Sequence, residues 1–254
     1  MRFMMTIATA AMAVIMAMPV LAASKCTRDS VKVGSVCMDI HEATVWRVPD
    51  PLGANKGLVK KIQKGKADYA DLSAGGAIQL GVSSDDYSPC ADNGQNCVND
   101  IFAASIIGVI PSTRITWFQA QIACANSGKR LPTNAEWQMA VAGTPDGAPC
   151  NVSSQSVGST FGRACESSWG AYDMVGNVWE WVADWTDSAT GCTNWFGSDY
   201  SCLGGDGSTA ALRLPGALIR GGDLSGGTNA GPFAVDGTVG PYSSHGVVGF
   251  RCAR

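Results

Sequence analysis

Residues 170–185 read Gly-Ala-Tyr-Asp-Met-Val-Gly-Asn-Val-Trp-Glu-Trp-Val-Ala-Asp-Trp and hold three of the eight tryptophans of the chain. If the segment is extended, its side-chain period of two places Trp179, Trp181 and Trp185 on one face, which predicts a core strand. Glu180 lies on the opposite face between two valines. A buried carboxylate needs a cation or several hydrogen-bond donors beside it. We therefore expect the fold to be organised around this strand and around the partner of Glu180.

The first 22 residues have the composition of a secretory signal peptide. A basic start at Arg2 precedes an apolar run from Met4 to Leu21, and small residues follow at Ala22 and Ala23. This pattern predicts cleavage after Ala22 or Ala23. An uncleaved membrane anchor is the alternative, because the run is just long enough to span a bilayer. We expect an exported protein, periplasmic or secreted, that has no membrane association after cleavage.

Residues 23–254 fit one large domain. A divergent insertion is expected at about 47–113, where Gly, Ser, Asp and Asn dominate, with short strands near 77–82 and 102–109. The basic run at 56–66 is interpreted as a solvated face of this insertion. The net charge of −3 and the charged fraction of 15% argue against a nucleic-acid partner. The sequence does not indicate an oligomeric state.

All ten cysteines follow the predicted cleavage site, and an even count in an exported chain predicts disulfides. A zinc site is disfavoured, since there is no Cys-x-x-Cys spacing and only His41 and His245 could contribute. His41 is interpreted as a structural strand residue. The pairs predicted from proximity in sequence are Cys26–Cys37, Cys90–Cys97, Cys150–Cys165 and Cys192–Cys202.

Two capping boxes predict the main helices. Thr116 and Thr133 are each followed three residues later by Gln or Glu, so that side chain and backbone can exchange hydrogen bonds. We expect helices at roughly 117–126 and 134–142. The stripes expected to face the core are Phe118, Ile122 and Ala125 on the first helix and Trp137, Ala140 and Val141 on the second.

Four segments, taken together, carry a family resemblance. They are Asp-Ile-His-Glu-Ala-Thr at 39–44, Gly-Lys-Arg-Leu-Pro-Thr-Asn-Ala-Glu-Trp at 128–137, Tyr-Asp-Met-Val-Gly-Asn-Val-Trp-Glu-Trp at 172–181, and Arg-Gly-Gly at 220–222 with Gly-Phe-Arg-Cys at 249–252. As a set they resemble the formylglycine-generating enzyme family, also called sulfatase-modifying factors. The resemblance implies an α+β domain with an elaborated C-type-lectin-like fold. In it two main helices pack on twisted antiparallel sheets, much structure is irregular, and the terminal strands lie close together. It also implies a Cys124–Cys252 disulfide.

The resemblance further implies a structural calcium ion in the tryptophan segment. The implied ligands are the side chains of Asp173 and Glu180 and the backbone carbonyls of Gly176 and Val178. Oxygen ligands around a hard cation would explain why Glu180 can be buried. The alternative is that Glu180 pairs with an arginine such as Arg130 or Arg251.

The resemblance does not extend to the metal site of the oxidases. The family's copper is held by two cysteine thiolates five residues apart, and those positions are Gly226 and Gly231 here. Glycine cannot supply the thiolate that copper(I) requires. Related sulfoxide synthases bind iron through three histidines of an added helical domain, whereas this chain has two histidines. Copper and iron are both disfavoured.

The function predicted from the sequence is therefore a non-catalytic binding module for a peptide or a glycan. Its expected ligand surface is the glycine-rich loop at 223–245, which suits hydrogen bonding and stacking. The candidate ligand-binding residues are Asn229, Phe233, Asp236, Tyr242 and His245. The alternatives are a metal-dependent oxidase of the formylglycine-generating or nonheme-iron family with a divergent site, and a structural component of the cell envelope.

Overall fold

The computed structural model describes residues 25–159, 163–187, 191–195, 198–204 and 215–254. The signal peptide predicted at 1–22 lies outside the described residues. Within the described ranges, no helix has both the length and the apolar character needed to cross a membrane.

Short strands and helices alternate with long irregular segments. The strands are β1 (Ser30–Val33), β2 (Val36–Asp39), β3 (Ala43–Arg47), β4 (Ile78–Leu80), β5 (Ile101–Ser105), β6 (Trp179–Asp187), β7 (Gly191–Trp195), β8 (Asp199–Gly204), β9 (Pro215–Arg220), β10 (Val235–Asp236) and β11 (Val248–Phe250). The α-helices are α1 (Lys56–Gln63), α2 (Tyr69–Ala74), α3 (Trp117–Asn126) and α4 (Asn134–Ala140).

The sheets confirm the predicted α+β class. A six-stranded sheet has the order β11-β6-β9-β10-β8-β7, a three-stranded sheet the order β4-β3-β5, and β1 and β2 form a hairpin. Most strand pairs are antiparallel, while β11 pairs with β6 and β10 with β8 in parallel. Since β6 lies between β11 and β9, both of its edges are hydrogen-bonded and Glu180 is enclosed by neighbouring strands.

The core strand predicted from the tryptophans is correct for its first half only. Trp181 pairs with Ile219 and is fully buried, but Trp185 pairs with Ala217 and is 43% exposed. Between these two pairs, residues 182–184 of β6 thus lie opposite the single residue Leu218 of β9. This irregularity breaks the alternation of faces, so the prediction that Trp185 lies in the core is wrong.

Both main helices begin where their capping boxes predict. Thr116 and Thr133 each accept the N3 backbone N–H, while Gln119 and Glu136 return the bond to the cap residue. The second helix buries Trp137 and Ala140 as expected. The stripe expected on the first helix is wrong, because its buried residues are Gln119, Ala120, Ala123 and Cys124. The small residues of α3 allow close approach to β5 and to the C-terminal strand.

The insertion is more ordered than its composition indicates. Its two strands lie near the predicted positions and flank β3. Its two helices, α1 and α2, were not expected from the sequence. Helix α1 buries Leu58, Val59 and Ile62, while its lysines face solvent. These residues form one hydrophobic cluster with Trp46 and Phe102, and the insertion is therefore part of the body of the domain.

The five predicted disulfides are all present, and they pair every cysteine of the chain. The Cys124–Cys252 bridge ties α3 to the segment that follows β11. The chain termini of the domain are also joined, because Cys37 and Arg254 exchange backbone hydrogen bonds of 3.0 and 2.8 Å. The expectation that the terminal strands lie close together is confirmed.

Candidate ligand-binding site

The partner of Glu180 is Arg251, the residue that follows β11. Arg251 Nη2 lies 2.5 Å from Glu180 Oε1, and Arg251 Nε lies 2.8 Å from Oε2. Trp137 of α4 donates its Nε1–H to Oε2 at 2.7 Å. Burial opposes the charge of Arg251, but the carboxylate of Glu180 outweighs it, and the pKa of Arg251 is raised. For Glu180 the structure thus shows the arginine alternative.

A second buried carboxylate, Glu42, lies beside the turn that precedes β6. Asn177 donates its side-chain N–H to Glu42 Oε2 at 2.5 Å, and the backbone N–H of Val178 donates to Oε1 at 3.3 Å. Burial raises the pKa of Glu42 well above its usual value, and the charges of Asp173 and Glu180 raise it further. Glu42 is therefore harder to ionise than a carboxyl group in water.

The charges around this turn are nearly balanced by arginines. Asp173, which is buried, forms an ion pair with Arg163 at 2.8 Å. Asp173 and Glu180 thus each pair with one guanidinium group, of Arg163 and Arg251 respectively. Within the described residues Glu42 has hydrogen bonds but no ion pair, which agrees with its raised pKa.

The four predicted calcium positions fit this ion-pair cluster better than a metal site. Calcium requires oxygen ligands at about 2.3–2.6 Å, and a guanidinium nitrogen already lies at 2.5 Å from one Glu180 oxygen. Asp173 is likewise committed to Arg163. Over the described ranges, no group of three or more acidic, histidine or cysteine side chains is arranged to hold a metal ion. Calcium stays a prediction, and chelation tests it.

The two positions that carry copper-binding cysteines in the oxidases differ in the space around them. A Cβ on Gly231 would lie 1.8 Å from Oδ1 of Asp199, which is far inside van der Waals contact. A Cβ on Gly226 would meet the Ala230 side chain at 3.0 Å, a close but adjustable contact. The carboxylate of Asp199 therefore occupies the space that a side chain at position 231 would need.

Asp199 is buried at the start of β8, and its Oδ2 accepts the backbone N–H of Phe233 at 2.7 Å. Its Oδ1 has no hydrogen-bond partner among the described residues. Burial raises the pKa of Asp199 to about 6, assisted by the charge of Asp146 and opposed by the Phe233 N–H and Arg220. Asp199 is therefore a weak acid with a pKa not far below neutrality.

Arg220, at the end of β9, holds the loop that contains Gly231. Its Nε donates to the carbonyl of Ala234 at 2.9 Å, and its guanidinium lies 4.5 Å from the centroid of the Trp137 ring. It also donates to the side chains of Asn134 and Gln138 on α4. Burial lowers the pKa of Arg220 to about 10. One arginine thus fixes the loop to α4.

A cleft of about 340 Å³ opens beside this loop, between residues 146–148 and 152–153 on one side and Gly227 and Thr228 on the other. Asp146 at its edge is exposed. The short 3-10 helix Gly227–Asn229 forms one wall, so the cleft borders the segment that contains both glycine positions.

The five predicted ligand residues contact different elements. Asn229 ends the 3-10 helix at the cleft, and Phe233, which is 40% exposed, rests its backbone on Asp199. Asp236 lies in β10, and its carboxylate accepts two bonds from Thr238 at 2.7 Å. Tyr242, which is 56% exposed, and His245, which is also exposed, lie in a different segment. This segment contacts the start of α3, because the carbonyl of Pro241 accepts the N–H of Trp117 and the carbonyl of His245 accepts the N–H of Arg114.

Sequence reasoning missed Asp199, Asp146 and Arg220 as parts of this region. Arg220 belongs to the Arg-Gly-Gly motif at 220–222, but the motif does not indicate its contacts with α4 and with Ala234. No local pattern indicates that Asp199 lies against Gly231, because the contact joins β8 to a loop that follows β9.

The mixed α+β fold and the four sequence motifs define a sulfatase-modifying-factor-like domain. The model of the family described as "Sulfatase-modifying factor enzyme 1-like domain" matches residues 82–254, and the chain belongs to this family. The resemblance inferred from the motifs is confirmed.

Similar proteins include active and inactive members by name. The Formylglycine-generating enzyme of Thermomonospora curvata is 27% identical over 169 residues, 56% of this chain and 55% of the relative. The Inactive C-alpha-formylglycine-generating enzyme 2 of Bos taurus is 27% identical over 124 residues, 33% of this chain and 41% of the relative. The chain thus spans about half the length of these relatives.

Among solved structures, the Major Tropism Determinant I1 variant is similar. The match has a TM-score of 0.42 and 20% sequence identity, and it covers 64% of this chain and 47% of the chain of that variant. This likeness concerns the fold alone.

Proposed function

We propose that this chain is a non-catalytic binding module of its family and that it binds a peptide or a glycan at the cleft beside Gly227 and Thr228. The observation that carries the proposal is the Asp199 carboxylate in the space that a side chain at position 231 would need. Every cysteine of the chain is in a disulfide, so no thiolate pair is present to hold copper(I). The features that remain for binding are the loop held by Arg220 and the cleft beside it.

The lining of the cleft suits a neutral or positively charged polar ligand. Asp146 offers carboxylate oxygens, while Ser153 and Thr228 offer hydroxyls that can both donate and accept. Phe233 follows in the same loop as Gly227 and Thr228, and its partly exposed ring can stack on a sugar face or on an apolar side chain of a ligand that extends along this loop. Concave sites with a few placed polar groups are typical of small-ligand recognition.

The relatives support the existence of such members, because one protein similar to this chain is named as an inactive enzyme. The five disulfides support export to an oxidising compartment, periplasmic or extracellular.

A peptide and glycan array probed with the purified, disulfide-bonded protein tests the proposal. We expect specific binders whose signal falls when Thr228→Trp blocks the cleft. Asn229→Ala and Phe233→Ala should weaken binding. Tyr242→Ala and His245→Ala, at predicted ligand residues in a segment that bonds to the start of α3, test whether the ligand extends beyond the cleft. An array with no signal above background, or a signal unaffected by Thr228→Trp, would contradict the proposal.

The rival function is a metal-dependent oxidase with a divergent site, which family membership favours. Copper or iron retained in stoichiometric amount after mild purification, together with oxidation of a cysteine-containing sulfatase peptide, would establish it.

A further inference from the structure

A second cavity, of about 110 Å³, lies where the N-terminal segment meets the connection between α1 and α2. The residues that line it include the charged Arg28 and Lys66, the polar His41 and Ser105, and the apolar Ile40 and Ala67. Most of this lining precedes residue 82, where the family match begins. The cavity therefore lies mostly outside the matched range.

The mouth of the cavity is cationic. Arg28 and Lys66 are exposed, and within the described ranges neither forms an ion pair with a carboxylate. Two acids also line the cavity. Asp29 pairs with Lys129 at 2.6 Å, whereas Asp68 accepts a backbone N–H in the first turn of α2 at 2.9 Å and keeps its charge. The two cations without an ion pair thus exceed the one such acid by a single positive charge, which favours an anionic ligand.

The wall of the cavity combines one polar group with apolar surface. His41 is 8% exposed, and its Nδ1 has no hydrogen-bond partner among the described residues. Its backbone N–H donates to Ser105 Oγ at 2.9 Å. Buried polar atoms without a partner are rare and costly, and a ligand or a water could satisfy this one. Ile40, Ala67 and Ile106 make the rest of the wall apolar.

We propose that this cavity binds a small monocarboxylate with a short aliphatic body. The carboxylate lies between Arg28 and Lys66 at the mouth, and the aliphatic body contacts Ile40 and Ile106. A phosphate or sulfate fits less well, because an apolar wall would leave some of its oxygens without partners. The cavity of about 110 Å³ is smaller than the one of about 150 Å³ that accommodates benzene, so only the short aliphatic body enters it and the carboxylate stays at the exposed mouth.

Isothermal titration of the purified, disulfide-bonded protein with isobutyrate tests the proposal. We expect saturable binding in the millimolar range, since a ligand of about six non-hydrogen atoms makes few contacts. Isobutyramide has the same shape without the charge and should not bind, and inorganic phosphate should bind more weakly than isobutyrate. Absence of saturable isobutyrate binding, or equal binding of the amide or of phosphate, would overturn the proposal.

Variants locate the site. Arg28→Ala and Lys66→Ala should each weaken isobutyrate binding by up to about fivefold, as expected for solvent-accessible ion pairs. Ala67→Leu fills the cavity without a charge change and should abolish binding. Lys64→Ala removes the same charge two residues from Lys66 but outside the cavity, and it should bind as the wild type does. Thermal melts verify that each variant is folded. Equal effects of Lys64→Ala and Lys66→Ala, or unchanged binding in Ala67→Leu, would place the ligand elsewhere and refute the assignment.

Discussion

Arg251 Nη2 lies 2.5 Å from Glu180 Oε1, and both side chains are almost completely buried. The pair joins the two parallel strands at one edge of the large sheet, and Trp137 connects it to α4. A buried pair of this kind is costly to break, because the charge that remains is neither paired nor solvated.

Glu180→Gln should therefore lower the free energy of unfolding by about 3–5 kcal/mol. The amide keeps an acceptor for Trp137 but leaves Arg251 without a counter-charge. Urea unfolding of both proteins measures the difference. Asp71→Asn removes a carboxylate from the solvent-exposed Lys61 pair and should leave stability near the wild-type value. A Glu180→Gln protein as stable as the Asp71→Asn control would mean that the ion pair is not made in solution.

Chelation distinguishes the ion pair from the predicted calcium site. If Arg251 alone satisfies Glu180, the melting temperature is the same with calcium and with excess chelator. Calcium at about a hundred times its dissociation constant would instead add roughly 2.7 kcal/mol of stability. A thermal melt in both conditions distinguishes the two alternatives. A fall of the melting temperature on chelation would support the predicted calcium site at Asp173, Gly176, Val178 and Glu180.

Gly231→Ala should destabilise the protein by about 1–3 kcal/mol, because the new Cβ overlaps the Asp199 carboxylate. In the Asp199→Ala background the same change should cost less, since the overlapping atoms are gone. Gly226→Ala is the matched control and should cost less than Gly231→Ala, because its nearest neighbour lies at 3.0 Å. Additive effects of Gly231→Ala and Asp199→Ala in urea unfolding would show that the two residues do not touch.

Asp199 should give a pH dependence of stability. Its pKa is about 6 in the folded protein and near the usual 3.8 in the unfolded chain. The folded state thus binds more protons between these values, and the free energy of unfolding falls as the pH rises from about 4 to 6. Asp199→Asn should remove this loss and be more stable at pH 7 by about 1 kcal/mol, allowing for solvent screening.

Melts of wild type and Asp199→Asn across that pH range give the difference directly. Asp146→Asn should reduce the slope as well, because the charge of Asp146 contributes to the raised pKa. Parallel pH curves for wild type and Asp199→Asn would contradict the assignment.

Local signals predicted the local features well. The capping boxes at Thr116 and Thr133 fix the starts of α3 and α4 because each involves only four consecutive residues. Four disulfides followed from proximity in sequence for the same reason. The helix α1 was missed because its lysines dominate the composition, although the spacing of Leu58, Val59 and Ile62 carried a helical signal.

Non-local features could not be predicted from these patterns. For Glu180 the motif implied a calcium ion, with Arg130 or Arg251 as the alternative partner, and only the pairing of β11 with β6 brings Arg251 to it. Trp185 was misplaced because its face depends on the register with β9. The contact of Asp199 with Gly231 likewise depends on how separate strands and loops assemble.

Mass spectrometry of a cysteine-containing sulfatase peptide, after incubation with the copper-loaded, disulfide-bonded protein and oxygen, tests the proposed non-catalytic role. Because glycines stand at 226 and 231, where copper-binding cysteines are expected in an oxidase, the peptide should keep its cysteine, as it does in a control without protein. Conversion of that cysteine to formylglycine above the control would show oxidase activity and overturn the proposal.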